Sequence, residues 1–175
     1  ALANYNIPDV AIGLDTIRQT DLVRRRWLDN HFYGAVWSVA YNSLKRLSVT
    51  VGGGWNNYQG KHFGEVTWAR FAGNSDIRQR YYDNDATKSD FNTYAKANYD
   101  FTDKLNLFVD LQYRRIGYTF VGFDQNLQNV QQTALFHFFN PKAGLTYRLS
   151  PGSSVYASYS VANREPTRND FVEST

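Results

Sequence analysis

The chain has 175 residues, 19 Lys and Arg against 16 Asp and Glu, a formal net charge of +3 and no cysteine. That is the size of one ordinary domain; it excludes a disulfide framework and a Cys-based metal centre, and so mild a positive excess is no footprint of nucleic acid. Aromatics make up 17 % of the chain while mean hydropathy is −0.54, a pairing that suits strands apolar on one face only.

Residues 1–30 read as a loop-rich lead-in that leaves room for a short helix or strand, with Arg24, Arg25 and Arg26 before Trp27. Three adjacent Arg suit an acidic ligand, although such a run is more commonly a solvated loop. From residue 31 to 175 the chain reads as one β segment. Tyr33, Ala35, Trp37, Val39 and Tyr41 alternate with Gly34, Ser38 and Asn42. After a turn at 43–46, Leu47, Val49, Val51, Gly53 and Trp55 alternate with Ser48, Thr50, Gly52, Gly54 and Asn56. Successive side chains of a strand point to opposite faces, so this is a hairpin with one apolar and one small, polar face.

Residues 57–90 are long, mixed and polar in the middle; Val66 and Trp68 suit a continued strand or the start of a small hairpin, and the stretch as a whole reads as a long loop, of the kind that often carries function. Its Trp68, Arg78, Arg80, Tyr81 and Tyr82 are the candidate ligand contacts, since aromatics with Arg can grip a siderophore, sugar or peptide. The plainer reading is that they pack the loop. A third hairpin pairs 91–101 with 105–113 across Thr102-Asp103-Lys104, and near Arg114 to Gly117 the apolar phase slips, which predicts a β-bulge. A Gln/Asn-rich loop over 122–134 leads to the last hairpin. There Phe139, Ala143, Leu145, Tyr147 and Leu149 alternate with Asn140, Lys142, Gly144, Thr146 and Arg148. Ser150-Pro151-Gly152-Ser153-Ser154 turns the chain, Pro presetting one φ and Gly permitting a positive one. Val155, Ala157, Tyr159 and Val161 then form the apolar face of the final strand.

The fold class is therefore all-β, an antiparallel meander of about six strands. Short turns alternate with long loops, and the apolar faces carry aromatics (Trp37, Tyr41, Trp55, Tyr99, Phe101, Tyr113, Tyr147), several of them near strand ends, the layout of a transmembrane β-barrel wall. No apolar run reaches the roughly 18 residues of a membrane helix, but a membrane strand needs only about 9–11 alternating residues. A soluble β-sandwich that binds a ligand is the alternative, because its strands also alternate.

Catalytic and cofactor signals are absent. Gly52-Gly53-Gly54 has no following Lys-Ser/Thr and sits in an alternating strand, so crowding or bending explains it better than phosphate binding. Gly60 to Val66 only faintly echoes an RNA-binding strand motif. His31, His62 and His137 lack a metal-ligand spacing, and Asp83 with Asp85 reads as solvated rather than cation-binding. No Ser stands in a nucleophile elbow. The chain reads as no enzyme, with no cofactor and no nucleic-acid partner.

Phe138-Phe139-Asn140-Pro141-Lys142-Ala143-Gly144-Leu145-Thr146-Tyr147 resembles a strand of TonB-dependent outer-membrane receptors. The following stretch, from Val155 to Arg168 with its Ala162-Asn163-Arg164-Glu165-Pro166-Thr167-Arg168 ending, resembles the next strand in receptors of the Bacteroidetes group. The resemblance covers most of residues 27–170. It implies a bacterial outer-membrane barrel of about 22 strands, closed by a plug, that binds a scarce nutrient (siderophore, vitamin, glycan or peptide) and imports it with energy from the TonB complex. It also implies that Val155, Ala157, Tyr159 and Val161 face outer-membrane lipid. The chain departs from the pattern in having six strands, no plug, no TonB box and no aromatic strand end, stopping at Val172-Glu173-Ser174-Thr175. Together with the absence of any methionine, this reads as an excerpt that does not transport alone. Its apolar face and two strand edges are expected to need lipid, detergent, a partner or an oligomer as cover.

Overall fold

The computed structural model describes residues 2–123, 127–129, 131–167 and 170. Arg168, 171–175 and part of the 122–134 loop lie outside them. A short 3-10 helix, Leu2–Tyr5, and a small hairpin of β1 (Val10–Ile12) and β2 (Asp15–Ile17) precede six long strands. These are β3 (Leu22–Leu44), β4 (Leu47–Ala69), β5 (Arg80–Asp100), β6 (Leu105–Gly122), β7 (Gln132–Ser150) and β8 (Ser153–Ser160). They hydrogen-bond in sequence order, with β3 and β8 at the two ends of the order. The six-stranded meander is the expected architecture, and the change of apolar phase near Arg115 falls inside an unbroken β6.

The strands are longer than the alternation suggests. β3 starts at Leu22, inside the expected lead-in, and β4 runs on to Ala69. The expected loop over 57–90 shrinks to 70–79, because β5 begins at Arg80. The reason is physical. From Asn57 onward both faces of the strand carry polar residues, so the hydrophobic contrast that reveals a strand vanishes while the backbone ladder continues. The turns are also tighter. Lys45-Arg46 and Pro151-Gly152 alone separate their strands, and Gly152 is not among the glycines with positive φ, which are Gly13, Gly73 and Gly122.

The chain divides into two compact units. The first comprises 1–32, 58–88 and 118–133. Its core is Leu2, Ile7, Val66, Tyr81 and Tyr82, with Tyr5, Val10, Leu22 and Ala69 packed against it. Leu2 and Ile7 are fully buried, and each burial contributes about 1.5–3 kcal/mol to holding the N-terminal segment on the strands. Polar ties reinforce it: Gln79 Nε2 donates to the Tyr5 and Asn6 carbonyls at 2.8 and 2.9 Å. Gly64 belongs to this packing, since a Cβ there would strike the Tyr81 and Tyr82 rings. The Arg run lies within β3 rather than in a loop. Arg24 donates to Tyr5 Oη at 3.1 Å, and Arg25 covers Trp27 at 5.3 Å.

The second unit comprises 33–57, 89–117 and 134–175. The β7–β8 register pairs Ala143 with Tyr159, Leu145 with Ala157 and Tyr147 with Val155 on one face. Lys142 pairs with Ser160 and Gly144 with Ser158 on the other. Cross-strand neighbours of one kind thus share a face, as the pleat requires. The short turns are tied sideways: Asp100 N–H donates to Arg46 O and Arg148 N–H to Lys104 O, both at 2.8 Å. Gly52 is a point of crowding, as expected. A Cβ there would lie 2.5 Å from the Tyr94 ring and 2.8 Å from the Trp37 carbonyl.

Candidate functional site

The apolar face of the second unit is open. Tyr33, Trp37, Val39, Tyr41, Trp55, Tyr99, Phe101, Leu145, Tyr147, Val155 and Tyr159 are all exposed large hydrophobics. Tyr159 is 75 % exposed and sits opposite Ala143. The described strands form only the six-stranded sheet and the β1–β2 hairpin, so no second sheet covers this face. That overturns the sandwich alternative, in which two apolar faces close on each other. Exposed apolar area on this scale marks a membrane or a partner surface. Val155 and Ala157 lie within β8, while Val161 follows it and donates its N–H to Pro141 O at 3.0 Å.

The opposite face of the same unit carries the bonded polar residues, with Val36 and Tyr156 exposed among them. Arg114 forks onto Asp90, with Nε 3.1 Å from both carboxylate oxygens and Nη2 2.5 Å from one. Lys96 Nζ lies 4.0 Å from Asp110, which also accepts from Gln112 at 3.1 Å. Asp90 and Asp110 are buried. Carboxylates in such places need their partners, because an unpaired buried charge is costly.

In the first unit a cleft of ≈ 420 Å³ is lined by Asn6, Arg80, Tyr81, Tyr82, Asp83, Phe123 and Leu127. Arg80 Nη1 meets Asp83 Oδ2 at 2.6 Å, and its guanidinium lies 3.7 Å over the Phe63 ring. Asn6 Nδ2 donates to the Arg80 carbonyl at 3.0 Å. Phe123 is fixed against β5 from both directions, its N–H donating to Asp83 O and its carbonyl accepting from Asn84 Nδ2. Asn6 and Leu127 have φ of 56° and 60°, a conformation costly for a leucine and of a kind concentrated at ligand clamps. Chemically, the cleft offers an ion pair of zero net charge between aromatic and aliphatic walls.

Of the five residues expected to contact ligand, the structure brings Arg80, Tyr81 and Tyr82 together at this cleft. None of the three is in a loop, since all open β5. Tyr81 and Tyr82 are buried in the core, at 3 % and 8 % exposure, so packing is the larger part of their role. Trp68 lies apart, on β4, beside a groove with Ala72, Ser75, Asp76 and Ile77. Arg78 lines neither recess; it holds a φ of 62° in the 70–79 connection and donates its N–H to Val66 O. Asn6, Phe123 and Leu127 are not legible as site residues in the sequence, because they come from distant segments with no motif of their own. Asp83 is visible there only as an acidic residue.

For metal binding, the described residues contain no group of three or more His, Asp or Glu. His31 lies 3.5 Å from Asp29, and His137 Nδ1 is 2.7 Å from Tyr113 Oη. Asp83 is engaged by Arg80.

Long antiparallel strands in sequence order, with an exposed apolar-aromatic face and a bonded polar face, define a membrane β-barrel wall. The chain belongs to the TonB dependent receptor-like, beta-barrel family, which it matches over residues 2–174. That family is one of transport receptors and not a family of enzymes. No curated protein matches the chain.

Proposed function

We propose that the chain forms part of the barrel wall of a bacterial outer-membrane receptor, of the Bacteroidetes type, that binds and imports a scarce nutrient. The observation that carries this is the two-faced sheet of the second unit in a chain of receptor family. In this reading Val155, Ala157, Tyr159 and Val161 face outer-membrane lipid. The cleft at Arg80, Tyr81 and Tyr82 touches the nutrient (siderophore, vitamin, glycan or peptide), with Trp68 and Arg78 contributing from neighbouring positions. A sheet of six strands with two edges encloses no channel by itself, so transport belongs to the complete receptor, driven by the TonB complex.

The test is uptake of a panel of labelled siderophores, vitamins, oligosaccharides and peptides by cells carrying the full receptor, with and without a working TonB complex. The proposal expects one class to be taken up only when the complex works. It also expects Arg80→Gln to lower the apparent affinity for that class about tenfold, as for a lost hydrogen bond to a charged group. Uptake indifferent to the TonB complex contradicts the receptor reading. TonB-dependent uptake unchanged in Arg80→Gln contradicts the cleft alone.

A further inference from the structure

The apolar face of the second unit has a limit, and the first charge beyond it on β6 is Arg115. The residues of that face on β6 are Leu105, Leu107, Val109, Leu111 and Tyr113, and Arg115 follows. On β7 they run from Leu149 through Tyr147, Leu145, Ala143 and Pro141 to Phe139, and His137 follows. Each run matches the roughly 9–11 residues that a membrane strand needs. The two runs end level with each other, because Tyr113 Oη meets His137 Nδ1 at 2.7 Å. One step further along, a Cβ on Gly117 would have Leu135 Cδ1 as its nearest neighbour, at 3.9 Å. Arg115 therefore leaves β6 between Tyr113 and Gly117, beside His137 and Leu135 of β7.

Arg115 is exposed, and no described residue pairs with it. Its chain neighbour Arg114 points to the other face, where it meets Asp90 and Glu165. On the face of Arg115 itself, Ser89 and Phe91 of β5 and Leu135, His137 and Phe139 of β7 supply no carboxylate. Leu111, Leu135 and Phe139 are exposed, so the cation stands at the rim of an open apolar surface. Gly117 adds no side chain there, which leaves the space beyond the guanidinium clear. In the tautomer that accepts from Tyr113, His137 carries its proton on Nε2, a second donor at the same rim.

We propose that Arg115, with His137 beside it, is a docking point for the phosphate of an anionic phospholipid whose acyl chains lie on Leu111 and Phe139. The end of the apolar band puts the guanidinium at the level of the headgroups, where a cation attracts anionic lipid. A zwitterionic lipid would bring its own ammonium to a place that already holds a cation and no carboxylate. This site rests on the reading that the face meets lipid; what it adds is the selection of one headgroup class at one place.

The experiment uses the full chain in phosphatidylcholine vesicles. Because the sequence has no cysteine, Leu135→Cys supplies a single bimane-labelled reporter beside Arg115, and Ala157→Cys supplies one within the apolar band. A minor share of phosphatidylglycerol or of phosphatidylcholine is added, each with a nitroxide quencher high on one acyl chain. The site predicts that phosphatidylglycerol quenches the reporter at 135 with about fivefold higher apparent affinity than phosphatidylcholine, the equivalent of about 1 kcal/mol for one cation at a charged surface. At 157 the two lipids should quench equally. Arg115→Gln should bring the ratio at 135 to about one, while Arg115→Lys, which keeps the charge, should retain most of the preference. Equal quenching at 135 by the two lipids overturns the site and leaves the lipid-facing wall standing. A preference that survives in Arg115→Gln, or that is the same at 157, also overturns it, since the attraction would then be to the net charge of +3. Quenching by neither lipid at either position contradicts the wall, and the site with it.

Discussion

Arg114→Met takes the cation from a pair whose carboxylate remains inside the protein. The Asp90 side chain is only 7 % exposed, and the substitution deprives it of hydrogen bonds of 3.1, 3.1 and 2.5 Å. Removing one partner of a buried pair costs about 3–5 kcal/mol, because the other charge is left uncompensated. Arg114 is itself 37 % exposed, so water enters the vacated space and the lower end, about 3 kcal/mol, is expected. Removing the Asp90 charge as well, Asp90→Asn with Arg114→Met, should restore part of that stability but not all of it, because the Glu165 carboxylate still lacks its Arg114 contact at 3.2 Å. The assay is reversible urea unfolding of the vesicle-bound protein, followed by the fluorescence of its four tryptophans. A loss below about 1 kcal/mol in the single variant would refute the reasoning, since that is the behaviour of an exposed pair. So would a double variant no more stable than the single one.

Other outcomes follow from the same structure. Ala157→Arg places a charge opposite Leu145 on the apolar face and should cost about 2–4 kcal/mol of stability in vesicles; Ser158→Arg, on the polar face, should cost under about 1 kcal/mol. Gly52→Ala should lose about 1–3 kcal/mol in the same unfolding assay, because the Tyr94 ring can swing away but the Trp37 carbonyl cannot. Tyr81→Phe should be neutral or stabilising by up to about 1 kcal/mol, because the buried Tyr81 hydroxyl has no hydrogen-bond partner among the described residues. A clear loss of stability in Tyr81→Phe would show that the hydroxyl is paired.

The apolar hairpins are legible in the sequence because one face is apolar and the other polar, so period-two contrast is strong at Leu145, Tyr147, Val155 and Tyr159. The same rule hides the distal halves of β4 and β5. There Gln59, Lys61 and Glu65 alternate with Gly60, His62 and Gly64, and a strand with polar residues on both sides carries no contrast to read. Adjacent Tyr81 and Tyr82 suggest a loop for the same reason, yet both are core residues. Only part of the cleft can be read from sequence. Arg80, Tyr81 and Tyr82 stand out by residue type, but their partners Asn6 and Phe123 are brought to them by hydrogen bonds across 74 and 39 residues, Asn6 to Arg80 and Phe123 to Asn84. Glu165 stands out for its motif, but its pairing with Arg114 depends on the path the chain takes after β8.

The central claim is that the odd-numbered face of the last hairpin meets lipid, and a spin-label scan tests it most directly. Single cysteines are placed in turn at positions 153–160 of the cysteine-free chain, labelled, and reconstituted in vesicles. Accessibility is measured to oxygen, which concentrates in the bilayer, and to a water-soluble nickel chelate. The account predicts oscillation with a period of two, oxygen accessibility peaking at Val155, Ala157 and Tyr159 and the nickel reagent peaking at Ser154, Tyr156 and Ser158. Equal nickel accessibility on both faces, or oxygen maxima at the even positions, would contradict it.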